Sequence, residues 1–110
     1  MTLATAARDV QCVQLFLPLH SPDTGRARQL LADVRQELTD RFGGVSCFVQ
    51  SPVQGLWENP EGEVERDELV IFEVMTEVLD AEWWAHFRSD LEKRFVQDAV
   101  LIRSFAAHVL

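Results

Sequence analysis

The spacing of apolar residues constrains the fold of this chain more than any other feature of its sequence. In residues 10–18 the apolar face returns at every second position, and this period of two is typical of a β-strand. From Arg26 to Phe42 apolar residues recur every three or four positions, which predicts an amphipathic helix that ends at Gly43. A strand is therefore followed by a helix.

The rest of the chain repeats this pattern with one added strand. Residues 45–51 and 67–75 again show a period of two, so two more strands follow the helix. Asp80 is a suitable N-cap for residues 81–95, whose apolar positions predict a second helix. Residues 99–109 alternate once more and predict a fourth strand.

This order predicts an α+β protein with the ferredoxin-like βαββαβ fold, in which both helices cover one face of a four-stranded antiparallel sheet. The expected spatial order of the strands is four, one, three, two. The 110 residues fit one domain over residues 1–110, with an ordered core of about 9–108. We expect the helix-covered face to hold Val13, Leu15, Leu17, Val45, Val49, Val70, Phe72, Val74, Val100 and Ile102.

The opposite face, here called the open face, is also rich in apolar residues. Monomers rarely expose contiguous apolar patches larger than a few hundred Å². A second copy of the chain is the simplest cover, and it predicts a homodimer whose facing sheets form a dimeric α/β barrel with a cavity between them. The open face holds Cys12, Gln14, Phe16, Phe48, Gln50, Ile71, Glu73, Met75, Leu101, Arg103 and Phe105.

Polar residues of the open face are candidates for a ligand site. With a suitable strand register, one arginine, one glutamate and two glutamines form a row across the sheet, which suits a small, partly apolar molecule. Alternatively, Arg103 and Glu73 pair across the dimer as a structural network. The candidate ligand-binding residues are Gln14, Phe16, Phe48, Gln50, Trp57, Glu73 and Arg103.

An acidic segment that follows a tryptophan precedes the third strand. Residues 58–68 hold six acids and one arginine, and Pro52 and Gly55 indicate a loop between strands two and three. Trp57 can fold over the mouth of the cavity or cap the end of its own core. The acids are not spaced like the ligands of a calcium loop, so no metal site is expected.

Other residues offer few catalytic patterns. His20 comes between the first strand and the first helix and, with Glu73, is a candidate general base. Cys12 and Cys47 lack the spacing of a redox or zinc site and are expected to be small buried residues. No motif predicts a cofactor.

The charge balance argues against two classes of partner. The chain has 10 basic and 18 acidic residues, a net charge of −8, which disfavours nucleic acids and anionic membranes.

Arg8 and Asp9 interrupt the position of a secretory signal, and no apolar run approaches the roughly 20 residues that span a bilayer. We therefore expect a soluble, acidic, cytoplasmic protein.

The segments "LTDRFGGVSCFVQSPVQGLWENPEGEVERDELVIFEVM" and "WWAHFRSDLEKRF" resemble a family of small bacterial proteins that has no established activity. The predicted fold is also similar to the dimeric α/β-barrel proteins, which include cofactor-independent monooxygenases and isomerases. These resemblances leave three functions open: a dimeric protein that binds a small molecule, a cofactor-independent enzyme, or an assembly module. In the enzyme, Glu73 or His20 is the general base and Arg103 holds an anionic group of the substrate.

Overall fold

Five strands and two helices make up the described part of the chain. The structure, a computed structural model, describes residues 7–18, 24–47, 53–58 and 64–110. Their order confirms the predicted α+β, ferredoxin-like class, with one strand more than expected. The elements are β1 (Arg8–Pro18), α1 (Thr24–Phe42), β2 (Ser46–Cys47), β3 (Val53–Glu58), β4 (Val64–Thr76), α2 (Ala81–Arg94) and β5 (Leu101–Val109).

The strands form one antiparallel sheet that is four strands wide. β5 pairs with β1, β1 pairs with β4, and β2 and β3 both pair with the other edge of β4. Because β2 and β3 follow one another along that edge, the sheet has the predicted spatial order of fourth, first, third and second strands. The central strands β1 and β4 therefore have neighbours on both sides.

The loop predicted between strands two and three is corrected by the structure. Residues 53–58 form β3 and pair with β4 from Val53 opposite Leu69 to Glu58 opposite Val64. β4 supplies the partners for the backbone hydrogen bonds of β3. The pairing therefore does not require alternating apolar and polar side chains in β3, a pattern that Gly55 and the acids obscure. Much of the acidic segment is therefore strand.

The core lies between the sheet and the two helices, on the predicted face. Val34 and Leu38 of α1 and Leu91 of α2 are buried against this face. Of the predicted strand residues, Val49 lies outside the described part of the chain. Val13, Leu15, Leu17, Val70, Phe72, Val74 and Val100 are buried as predicted, and Val45 and Ile102 are partly buried against them.

Local signals in the sequence set the ends of the helices. α1 ends at Gly43, whose φ of +79° suits glycine and whose N–H donates to the carbonyl oxygen of Thr39 at 2.8 Å. Asp80 caps α2 as predicted, because its Oδ1 accepts from the backbone N–H of Trp83 at 3.1 Å.

A bidentate ion pair joins the two helices. Nη1 and Nη2 of Arg94 donate to Glu37 at 2.5 and 2.9 Å. Asp90 is a second partner of the same guanidinium, at 2.5 Å. The hydrogen bond to Glu37, together with Asp90, raises the pKa of Arg94 above its usual value. Both helices lie on the core side, and no helix of the described residues covers the open face.

Candidate functional site

Strand register arranges the open face of β1, β4 and β5 as three rows of three residues. The middle row joins Arg103 on β5, Gln14 on β1 and Glu73 on β4. The rows on either side are apolar or nearly so, and each lies about 7 Å away along the strands. One outer row is Phe105, Cys12 and Met75, and the other is Leu101, Phe16 and Ile71.

The middle row is a continuous hydrogen-bonded chain. Nε of Arg103 donates to Oε1 of Gln14 at 3.0 Å, and Nε2 of Gln14 donates to Oε1 of Glu73 at 2.9 Å. The glutamine amide thus contacts a cation with its oxygen and an anion with its nitrogen, which is the favourable orientation for both. Cζ of Arg103 also lies 5.1 Å from the centre of the Phe16 ring, within cation–π range.

Three other predicted site residues fall outside the described part of the chain: His20, Phe48 and Gln50. The register places Ser46 of β2 opposite Glu73, at the position in the row where a glutamine was expected. Trp57 lies on β3, opposite Glu65, rather than in a loop. The structure therefore brings together Gln14, Phe16, Glu73 and Arg103, and the sequence had not singled out Ser46.

Cys12 is buried although it belongs to the open face. Only 5% of its surface is exposed, because Phe105 and Met75 flank it on the neighbouring strands. This burial raises the pKa of the Cys12 thiol, and the negative charge of Glu73 raises it further. Cys12 is thus a small, buried and protonated residue at the centre of the outer row rather than an activated nucleophile.

The larger residues of the open face are exposed in the single chain. Met75 is 41% exposed, and Leu101 and Phe105 are each 43% exposed. Three strands about 4.8 Å apart and six residues per strand give the three rows a projected area of roughly 300 Å². That area is within the range of the largest apolar patches on monomers, which are often functional, so the face has the character of an interface or a binding surface.

The tryptophan pair on α2 belongs to a different surface. A cavity of about 310 Å³ lies between the end of α1 and the start of α2, beside Trp83 and Trp84. Cζ of Arg41 lies 4.0 Å from the centre of the Trp83 ring, and Phe87 stacks on the same ring at 4.8 Å. Because both faces of Trp83 are in use, a ligand has no free face on which to stack.

One pair of titratable residues was not indicated by the sequence. Nδ1 of His108 lies 2.6 Å from Oδ1 of Asp9, and the pair lines a cavity of about 380 Å³. The two residues are 99 positions apart, so only the pairing of β1 with β5 brings them together. Both side chains are mostly exposed, and exposed ion pairs contribute little to stability.

The described residues also bear on metal sites and membrane spans. Among residues 7–18, 24–47, 53–58 and 64–110, no three His, Cys, Asp or Glu residues lie together as a metal site would require. No helix in this part of the chain is long and apolar enough to cross a membrane.

The architecture and the polar row define a ferredoxin-like α+β protein with a hydrogen-bonded row on its open sheet face. No protein-family model and no curated protein matches the sequence. Among solved structures, the chain is similar to a Bacillus cereus protein related to NIF3, with a TM-score of 0.58 and 17% identity. That match covers 94% of this chain and 27% of the other, so the chain spans about a quarter of the Bacillus cereus protein.

Two CutA proteins have similar structures and similar lengths. One is the periplasmic divalent cation tolerance protein CutA from Archaeoglobus fulgidus, with a TM-score of 0.52 and 14% identity over 89% of this chain and 82% of that one. The other is CutA from Synechococcus elongatus, with a TM-score of 0.53 and 15% identity over 92% of this chain and 81% of that one. At these identities the likeness shows a shared fold and not a shared activity.

Proposed function

We propose that this chain is a cytoplasmic, single-domain homodimer whose open faces enclose a cavity that binds a small, partly apolar molecule. The observation that carries the proposal is the row of Arg103, Gln14 and Glu73 between two largely apolar rows. Small-molecule sites are mostly apolar with a few fixed polar groups, and this row supplies one donor group and one acceptor group.

The exposed apolar residues support a second copy of the chain as the cover. Met75 lies on β4, and Leu101 and Phe105 lie on β5 on the other side of β1, so the apolar surface extends across the central strand. Burying apolar area stabilises association by about 25 cal/mol per Å². Packing of one sheet on another leaves about 10 Å between them, and this space is filled by side chains or by a ligand.

The row retains polar groups for a ligand. The hydrogen bonds within the row use Nε of Arg103 and Oε1 of Glu73. Among the described residues, neither Nη1 and Nη2 of Arg103 nor Oε2 of Glu73 has a hydrogen-bond partner. These atoms can bind a ligand that has both an acceptor and a donor without any rearrangement of the row.

Native mass spectrometry of freshly purified protein tests the proposal. We expect a wild-type dimer that carries additional mass, and intact dimers in Arg103→Gln and Glu73→Gln, with the additional mass lost in Arg103→Gln. Arg28→Gln removes a similar charge from an exposed position on α1 and should behave as the wild type. A monomeric wild type would refute the dimer.

Two further outcomes separate ligand binding from assembly alone. If both row variants become monomeric, the row is an assembly contact and the ligand site is refuted. If the wild-type dimer is empty, its cavity is tested with Nile red, a neutral apolar dye whose fluorescence rises in apolar surroundings. An empty dimer that does not bind Nile red has no accessible cavity.

A further inference from the structure

We infer that the ligand of this cavity is a small monocarboxylic acid with an apolar body, and that Nη1 and Nη2 of Arg103 bind its carboxylate. The inference rests on the proposed dimeric cavity and names the chemical class that the cavity takes.

Two contacts fix the orientation of the guanidinium. Gln14 accepts from its Nε at 3.0 Å, and the ring of Phe16 lies 5.1 Å from its Cζ. An arginine held at Nε presents Nη1 and Nη2 as a fork, and the two oxygens of a carboxylate match this fork with two parallel hydrogen bonds. A lysine at the same position would offer a point charge without this geometry.

Arg103 differs from Arg8 of β1 in whether its guanidinium has a carboxylate partner. Nε of Arg8 lies 3.1 Å from Oε1 of Glu77, so Arg8 already has a carboxylate. Within the described part of the chain, Arg103 has no carboxylate in direct contact, because Gln14 separates it from Glu73. A carboxylate from a ligand completes the pairing that the chain leaves unmade.

Glu73 limits the charge of the ligand. Glu73 lies on β4, which is two strand spacings, or roughly 10 Å, from β5 and Arg103. Its carboxylate therefore repels an anion bound to Arg103 less than the adjacent Arg103 attracts that anion. A second negative charge on the ligand would find no second cation in the same row, and each of the two rows in the proposed dimer has its own Glu73 to repel it. Since the chain also has a net charge of −8, phosphates and dicarboxylates are poor candidates.

The residues beside the row determine the body of the ligand. Leu101 lies two positions before Arg103 on β5 and Phe105 lies two positions after it, so both flank the guanidinium on the same face. Met75 and Ile71 flank Glu73 in the same way. A carboxylate bound to Arg103 therefore has apolar side chains on both sides, which suits an aromatic or aliphatic acid.

Displacement of Nile red by matched pairs of compounds tests the inference. The pairs are benzoate with benzamide, 4-phenylbutyrate with its amide, and octanoate with octanamide. We expect each acid to displace the dye at lower concentration than its amide, and the dianion phthalate to be weaker than benzoate. Acids no better than their amides, up to their solubility limits, would overturn the inference.

Three variants assign the effect to the row. Arg103→Gln should weaken displacement by the acids about tenfold or more, since a charge-assisted hydrogen-bonded pair is lost. Glu73→Gln should strengthen it about threefold, because a repulsive charge is removed while Gln14 keeps an acceptor. Arg28→Gln should change neither. Unchanged affinity for the acids in Arg103→Gln would also overturn the inference.

The same samples distinguish failure of this inference from failure of the proposed function. A dimer that binds Nile red, but does not prefer acids, retains the cavity and refutes only the carboxylate ligand. A monomer, or a dimer without dye binding, refutes the cavity itself. Nile red binding is measured for each variant, and Arg28→Gln should bind the dye as the wild type does.

Discussion

The two faces of the sheet are built from the same strands and differ in what covers them. On the core face, Leu15 of β1 and Phe72 of β4 are opposite each other and fully buried beneath the helices. One residue further along, Phe16 lies opposite Ile71 on the open face, and both remain partly accessible. Apolar side chains thus point to both sides of β1 and β4, and in the described part of the chain the helices cover one of these sides.

The difference shows where polar residues matter in this sheet. No buried polar or charged residue is found in the described part of the core. The open face instead has one complete polar row, in which each member has a fixed partner. A face that only had to meet water would not need a hydrogen-bonded row between apolar rows, whereas a face that meets a partner and a ligand gains orientation from it.

The largest expected effect comes from truncating one phenylalanine on each face. Phe72 is 1% exposed and Phe105 is 43% exposed. Phe72→Ala should lower the free energy of unfolding by about 3–5 kcal/mol, because it leaves a cavity in a packed core. Phe105→Ala should lower it by about 1 kcal/mol or less in the monomer, because less of its surface leaves water on folding.

Urea unfolding, followed at protein concentrations where each variant is monomeric, measures both values. The same residue type is removed in each case, so the comparison isolates burial. Equal losses would mean that a single chain packs the open face as tightly as the core, and the contrast between the faces would disappear.

A smaller effect is expected from placing a charge on the open face. Leu101→Glu should raise the dissociation constant of the dimer about tenfold or more, because the carboxylate would be buried between the sheets without a partner. Sedimentation velocity measures the change. Val78→Glu is the control, since Val78 is 79% exposed in the segment after β4. An unchanged dimer in Leu101→Glu would move the interface away from this face.

The smallest expected effect concerns Cys12. Because burial raises the pKa of its thiol above the usual value of 9.0, its contribution to stability is complete below that value. The contribution is lost as the pH rises from there through the folded-state pKa. The wild type should therefore lose stability relative to Cys12→Ala as the pH rises above about 9, as measured by urea unfolding.

Thiol reactivity gives an independent test of the same residue. In a Cys47→Ser background, Cys12 should react with 5,5′-dithiobis(2-nitrobenzoic acid) more slowly in the folded protein than in urea. Parallel pH profiles for the wild type and Cys12→Ala, or rapid reaction in the folded protein, would mean that solvent reaches the Cys12 thiol on the open face.

Much of the fold could be predicted from the sequence because its signals are local. The apolar periods indicated α1, α2, β1 and β5, and Asp80 and Gly43 marked helix ends that the structure confirms. β3 could not be predicted in this way, since its stability comes from pairing with β4 rather than from its own pattern.

The candidate site was predictable in kind and not in detail. Alternation along each strand assigned Gln14, Glu73 and Arg103 to one face, but a shift of two residues in either pairing would have separated them on that face. The register of β2 placed Ser46 beside Glu73, which no local pattern indicated. Asp9 and His108 came together for the same non-local reason.

The sequence by itself determined the order of the elements other than β3, the core face and the apolar character of the open face, because side-chain period follows directly from backbone geometry. Only the tertiary structure decided that Arg103, Gln14 and Glu73 form one hydrogen-bonded row and that Cys12 is buried beside it. Strand register and strand order are set by contacts between distant residues, and a local pattern cannot specify them.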